Sequence, residues 1–222
     1  MLRLIKKINR LNPITFIVLG LLSTQATAEW KLTKESQNIQ LYRSVNTSDE
    51  FKTLIKAEID VPLETVVHVL NDPNACQKWL YRCQSTRHIS ETEAHNHYTY
   101  YVRDYPFPLK DRHGVLQINK GYQEDGKFEM TFNLVHRMTP EDSTLIIPEQ
   151  FTAQMRVQQK NSTTTSIELE HTLNPGGKIP NWLKKSIHEE YPYHSMHKLL
   201  ESSLKRLKAS SMETASSYNQ NI

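Results

Sequence analysis

The chain is predicted to form one α+β domain in which a curved antiparallel sheet grips a long C-terminal helix. Two patterns carry that reading. Residues 51–59, 127–135, 151–157 and 163–173 alternate apolar and polar side chains with a period of two, as strands do when one face meets a core and the other water. Towards the C-terminus, Leu183, Ile187, Tyr191, Met196, Leu200, Leu204 and Leu207 recur at helical spacing. Strand runs that end in an apolar-striped helix pack as sheet on helix.

The first 28 residues have the pattern of a secretory leader rather than of the domain. Arg3, Lys6, Lys7 and Arg10 are a basic start, Ile14 to Leu22 an apolar stretch, and Ala26-Thr27-Ala28 a small-residue cleavage site. The apolar stretch is about half of the roughly 20 residues a spanning helix needs. Cleavage before Glu29 leaves 194 residues, and no cysteine near it suggests a lipid-anchored product. Four of the 27 basic residues leave with the leader, so 23 remain against 24 acidic ones; the basic balance of the full chain is no argument for nucleic acid, and no nucleic-acid partner is expected.

The first strand expected is 39–43, and 51–59 follows with Phe51, Ile55, Ala57 and Ile59 on one face. Val61-Pro62 opens a helix that carries Val66, Val67, Val69 and Leu70. Asp72 can cap a second, short helix beginning at Pro73. Strands at 84–91, 95–103, 114–122, 127–135, 151–157 and 163–173 bring the total to about eight. Asn174-Pro175-Gly176-Gly177-Lys178-Ile179-Pro180-Asn181-Trp182-Leu183 then turns the chain into its terminal helix. The paired glycines permit positive φ, Pro180 suits a first helical turn, and Trp182 offers an apolar anchor. Pro192 falls inside the helix and should kink or interrupt it. Residues 209–222, rich in Ser, Thr and Asn, read as a flexible tail.

Cys76 and Cys83 would lie about 10.5 Å apart along the axis of an unbroken helix, beyond the roughly 7 Å Cα limit for a disulfide. A bridge between them therefore requires the short helix to end near Trp79, and both are expected. Catalytic motifs are missing: the chain has no Gly-x-Ser-x-Gly elbow, P-loop, dinucleotide fingerprint or His-Glu-x-x-His pair. His194 with His197, and His95 with His97, lack a third ligand and read as surface histidines, so no metal and no cofactor are expected. His171 alternates with Ile167, Leu169 and Leu173 and points inward, either as hydrogen-bonded core or against a ligand.

Tyr105-Pro106-Phe107-Pro108 ahead of Arg112, Asp72 and Trp79 after the early helix, and the Asn174–Leu183 turn together resemble the StAR-related lipid transfer (START) family, over nearly all of the chain beyond the leader. The resemblance implies a helix-grip fold whose sheet and helix enclose a hydrophobic tunnel for one lipid. In that family an Arg-Asp pair opens the strand after the Pro-x-Pro turn, and the Arg often pairs inside the cavity with an acid from the preceding strand. Here Arg112 matches the arginine, His113 replaces the Asp, and Val102 stands where the acid is expected. Arg112 is thus left to Asp104, Asp111 or Glu170, or to a lipid headgroup.

The expected ligand-facing set is Tyr100, Arg112, Phe128, Met130, Phe132, Leu169, His171, Trp182, Ile187, Met196 and Leu200, with Pro192 and the loop Leu145-Ile146-Ile147-Pro148 as parts of a gate. These readings imply an exported, bacterial-type lipid carrier, periplasmic or secreted, monomeric, touching membrane surfaces transiently. The alternatives are a cyclase or hydrolase using His171, Tyr100 and Arg112, or a groove for a partner peptide.

Overall fold

The computed structural model describes residues 29–44, 51–72, 75–90 and 97–219. The expected leader, Pro73, and His95 lie outside them. Among the described residues nine strands form one antiparallel sheet: β1 (Trp30–Glu35), β2 (Ile39–Ser44), β3 (Phe51–Ile59), β4 (Cys83–Ser90), β5 (His97–Arg103), β6 (Arg112–Tyr122), β7 (Phe128–Leu134), β8 (Gln150–Gln159) and β9 (Thr165–Asn174). Their order across the sheet is β1-β2-β3-β9-β8-β7-β6-β5-β4. Two short helices, α1 (Leu63–Leu70) and α2 (Ala75–Trp79), follow β3, and the C-terminal rod covers the sheet.

The alternation in the sequence is the alternation of burial. On β3, Thr53, Ile55, Ala57 and Ile59 are buried, and on β9 Thr165, Ile167, His171 and Leu173. The two strands pair along their whole length, from Phe51 opposite Leu173 to Ile59 opposite Thr165. The strand the sequence did not reveal is β1. Its residues are mostly polar or half-exposed, and what fixes it is the ladder with β2, interrupted by a register shift between Leu32 and Lys34.

Helix α1 begins directly after Pro62, which stands at its N-cap, and its first free donor, the Leu63 N–H, is taken by Gln159 Oε1 at 2.6 Å. Leu63, Val66, Val67, Val69 and Leu70 then join the main core, where α1 packs on the terminal helix and β8. Helix α2 ends at Trp79, and Cys76 and Cys83 are joined with their Cα atoms 5.7 Å apart. The turn after α2 gives Arg82 a φ of 58°, which folds Cys83 back towards Cys76.

The terminal rod is one continuous run in three parts: α3 (Asn181–Lys185), a widened π-helical turn (Ser186–Glu190) and α4 (Tyr191–Asn219). Pro192 accounts for the widening. It has no N–H for the carbonyl of His188, which instead accepts a hydrogen bond from Thr53 Oγ1 at 3.4 Å, while the Tyr191 N–H reaches back five residues to Ser186 O. The interruption expected at Pro192 is thus a π turn just before it. Two ion pairs fasten this turn to the sheet: Lys34 to Glu190 at 2.6 Å and Arg43 to the buried Glu189 at 3.2 Å.

Beyond the turn the apolar stripe drifts from the expected one. Leu199 and Ser203 are fully buried, whereas Leu204 is 41 % exposed. Ser203 satisfies its hydroxyl on Leu199 O at 2.9 Å, so a polar residue can occupy the inward position. Helix α4 also continues to Asn219, through the stretch set apart as a tail, with Ser210 and Ser211 donating to Leu207 O.

Leu199→Ala should lower the unfolding free energy by about 2–5 kcal/mol, as for other leucines in sealed cores. Leu204→Ala should change it by less than about 1 kcal/mol. Chemical denaturation of the two variants checks the drift of the stripe.

Candidate functional site

A cavity of about 410 Å³ lies between the sheet and the C-terminal rod. It separates two packed clusters, the larger one of α1, the sheet and α4, and a smaller one built on Tyr105, Leu173, Leu183, Ile187 and Tyr191. Six residues expected from the sequence line it: Arg112, Met130, Phe132, Leu169, His171 and Ile187. Five do not.

Strand pleating explains the first of the five. On β5 the cavity receives His97, Thr99, Tyr101 and Arg103, so Tyr100 faces away, where its hydroxyl lies 3.0 Å from His113 Nδ1. Phe128 is sealed against Tyr122, with ring centroids 5.3 Å apart, and belongs to the core. Met196 and Leu200 fill that same core further along α4. Trp182 stands 69 % exposed in the first turn of α3, and Leu183, one residue on, is the side chain that turns inward.

Arg112 is 1 % exposed and meets none of the expected acids. Its Nε donates to Pro175 O at 3.0 Å, Nη1 to Lys110 O at 2.5 Å and Nη2 to Gly176 O at 2.7 Å. The guanidinium also sits over the Tyr105 ring, 4.3 Å from its centroid. Three main-chain dipoles and an aromatic face therefore take the place of a carboxylate. The acids are engaged elsewhere: Asp104 holds Arg82, and Asp111 accepts the Tyr105 N–H at 2.9 Å and Gln84 Nε2 at 2.7 Å. Glu170 is exposed.

The paired glycines make this possible. Gly176 and Gly177 have φ of 66° and 71°, the left-handed region, and the turn aims the carbonyls of Pro175 and Gly176 at the guanidinium. A Cβ on Gly176 would lie 3.2 Å from Ile147 O, and one on Gly177 3.3 Å from Ile146 Cδ1.

The residue opposite Arg112 across the β5–β6 ladder is Arg103, not Val102, which pairs with His113 on the outer face. Arg103 is the functional candidate that sequence reasoning missed. Its signal was the alternation Thr99, Tyr101, Arg103, which places 103 on the inner face whenever 101 is there. Its guanidinium lies 5.1 Å from the centroid of the Tyr191 ring, and its buried Nε has no hydrogen-bond partner.

Burial dominates the titration of this end. The hydroxyls of Tyr101 and Tyr105 are pushed well above the usual phenol range by desolvation. His171 is lowered to about 4, by burial and then by the charge of Arg103. His188, on the π turn, is lowered to about 3 by burial and by neighbouring positive groups. It stacks on Phe51 with centroids 3.3 Å apart, and neither ring nitrogen has a partner.

The three residues considered for acid–base chemistry do not converge, since Tyr100 points out and Arg112 is tied to main-chain carbonyls. Among the described residues no three His, Cys, Asp or Glu side chains gather as metal ligands. His194 and His197 stand instead beside Glu190 and Glu201, at 3.5 and 3.7 Å. What the arrangement offers is an apolar chamber with a cationic, aromatic end.

This architecture is the helix-grip fold of START domains. No protein-family model matches the chain. A STAR-related lipid transfer protein from Xanthomonas axonopodis superposes with a TM-score of 0.68 at 21 % identity, covering 78 % of this chain and 98 % of that one. An uncharacterized protein of Pseudomonas aeruginosa is 23 % identical over 202 residues, 89 % of this chain and 98 % of its own. The phosphatidylcholine transfer protein of Rattus norvegicus is 26 % identical over 164 residues, 70 % of this chain and 75 % of that one. The likeness to these proteins is one of fold, the START helix-grip architecture.

Two expectations follow from the site. Arg112→Met should remove at least about 3 kcal/mol of stability, because three buried carbonyls lose a charged donor, and Gly176→Ala about 1–2 kcal/mol through its left-handed φ. Denaturant midpoints test both. Unfolded histidines titrate near 6.5, whereas His171 and His188 stay neutral in the fold to about 4 and about 3. The unfolded chain therefore binds more protons between those values, and stability falls as pH drops from roughly 6.5 towards 4. Melting temperatures across that range should decline less steeply in the double variant His171→Asn, His188→Phe.

Proposed function

We propose that this chain is an exported lipid carrier that holds one lipid or similar hydrophobic ligand in its cavity and moves or sequesters it between membranes. The observation that carries this is the cavity itself, about 410 Å³ within a START fold, walled by Leu116, Ile118, Met130, Phe132, Met155 and Leu169. That volume falls in the roughly 300–1,000 Å³ range of small-molecule sites. An acyl chain leaving a bilayer for water pays roughly 0.8 kcal/mol per methylene, on the order of 13 kcal/mol for about 16 carbons, and an apolar chamber replaces most of that environment. The names of two relatives, a lipid transfer protein and a phosphatidylcholine transfer protein, agree with carriage.

Ligand passage requires a part that opens, and Pro148 and Pro192 border the cavity on the two segments expected to form a gate. The π turn adjoining Pro192 departs from regular helical hydrogen bonding, which suits a segment that has to move. Phe107 and Trp182, 91 % and 69 % exposed, are suited to transient contact with a membrane surface. The leader pattern and the Cys76–Cys83 bridge fit an oxidising compartment such as the periplasm. No observation favours an enzyme or a peptide groove over this reading.

Leu169→Trp and Leu200→Trp separate cavity from core. Leu169 lines the cavity, so the variant should keep most of its stability and lose transfer of a pyrene-labelled phospholipid between vesicles. Leu200 is packed, so its variant should lose about 1–3 kcal/mol. A wild-type protein that neither binds nor transfers any of a broad lipid panel would refute the carrier. For export, N-terminal sequencing of protein from its own host should begin at Glu29.

A further inference from the structure

We propose that the polar end of the cavity receives the anionic head of an amphiphile, a carboxylate or a phosphate, with Arg103 as its principal contact. This rests on the carrier reading and names the ligand class within it.

Arg103 and Arg112 are partners across β5 and β6, and both line the cavity. Like charges directly opposite on a sheet face repel, and more strongly in a wall of low dielectric than in water. Arg112 is settled by three carbonyls and the Tyr105 ring. Arg103 is not. Among the described residues no carboxylate forms an ion pair with it, its buried Nε has no acceptor, and its guanidinium lies over the Tyr191 ring.

The rest of the wall offers no remedy. Its cations are Arg103, Arg112 and Lys120, and its one acid, Asp72, is bonded to Lys78. The Ser195 hydroxyl is already committed, donating to Tyr191 O at 2.8 Å and accepting from the Tyr81 N–H at 3.0 Å. A buried donor without an acceptor is costly, so the ligand or a water must supply one, and an anionic group would also answer the charge. The planar fork of a guanidinium matches carboxylate and phosphate oxygens in pairs, and His171 borders the same space with an imidazole able to donate one further hydrogen bond. A chain bound to that head would run along Met130, Phe132 and Leu169. A zwitterionic head would bring its own cation to a wall with no free acid to receive it.

The test pairs ligands that share acyl chains and differ in head charge: oleate against monoolein in equilibrium binding, and pyrene-labelled phosphatidylglycerol against phosphatidylcholine in vesicle transfer. Wild-type protein should prefer the anionic member of at least one pair by about tenfold, the ratio a single charge-assisted contact can supply. A preference for oleate assigns a carboxylate, and one for phosphatidylglycerol a phosphate. Arg103→Gln should erase most of that ratio and Arg103→Lys should retain part of it. Arg103→Glu, which places an acid across from Arg112, should abolish it. Equal affinity within both pairs would overturn the anionic site while leaving the carrier intact, as would Arg103→Gln weakening every ligand alike. Binding of none of the four would overturn both.

Discussion

A guanidinium sealed inside a protein has to be neutralised, and the way Arg112 achieves this organises the molecule. Its three donors reach the carbonyls of Lys110, Pro175 and Gly176, binding the start of β6 to the loop that leads from β9 into the terminal rod. The cation thus works as a rivet between sheet and lid. The Gly176–Gly177 turn presents those carbonyls through left-handed backbone, and Tyr105 closes over the group from the Pro-rich turn between β5 and β6. With the rivet made from main chain, acids of the neighbouring strands take other partners, and the cavity face holds a second arginine that no carboxylate among the described residues answers.

The rod then has to pass from loop to core over a chamber without collapsing into it. The π turn manages this at the one place where Pro192 prevents ordinary helical hydrogen bonding. Lys34 and Arg43 on β1 and β2 hold the turn through Glu190 and Glu189, so the strands at that edge have a task beyond completing the sheet. Beyond it α4 packs on α1 and β3, and the chamber stays between two solid clusters.

How far the sequence could anticipate this depends on whether each interaction is local. The alternating strands, the start of α1 after Pro62 and the end of α2 near Trp79 were legible because they follow from period, proline geometry and the reach of a disulfide. The turn and arginine motifs also led to the START helix-grip fold. Strand β1 was not legible, since a half-exposed edge strand carries little apolar pattern. Arg112 was singled out correctly as buried, but its carbonyl partners leave no trace in residue types. Arg103 was missed through a register one residue out, enough in a strand to exchange the cavity face for the outer one. On α4 the assumption that inward positions are apolar favoured Leu204 over the fully buried pair Leu199 and Ser203.

The pairing of β3 with β9 has a consequence for how the chain acquires its structure. Phe51 lies opposite Leu173, so strands far apart in the chain are direct neighbours in the middle of the sheet. Hairpins such as β1–β2–β3 and β6–β7–β8 can form from local sequence, but joining them requires closing a loop of more than a hundred residues, a step that slows folding. The keystone strand is also the last of the nine described strands to be synthesised. A nascent chain that has not yet emerged past Asn174 has two unfinished half-sheets with open edges, and it completes its fold only after β9 arrives between them.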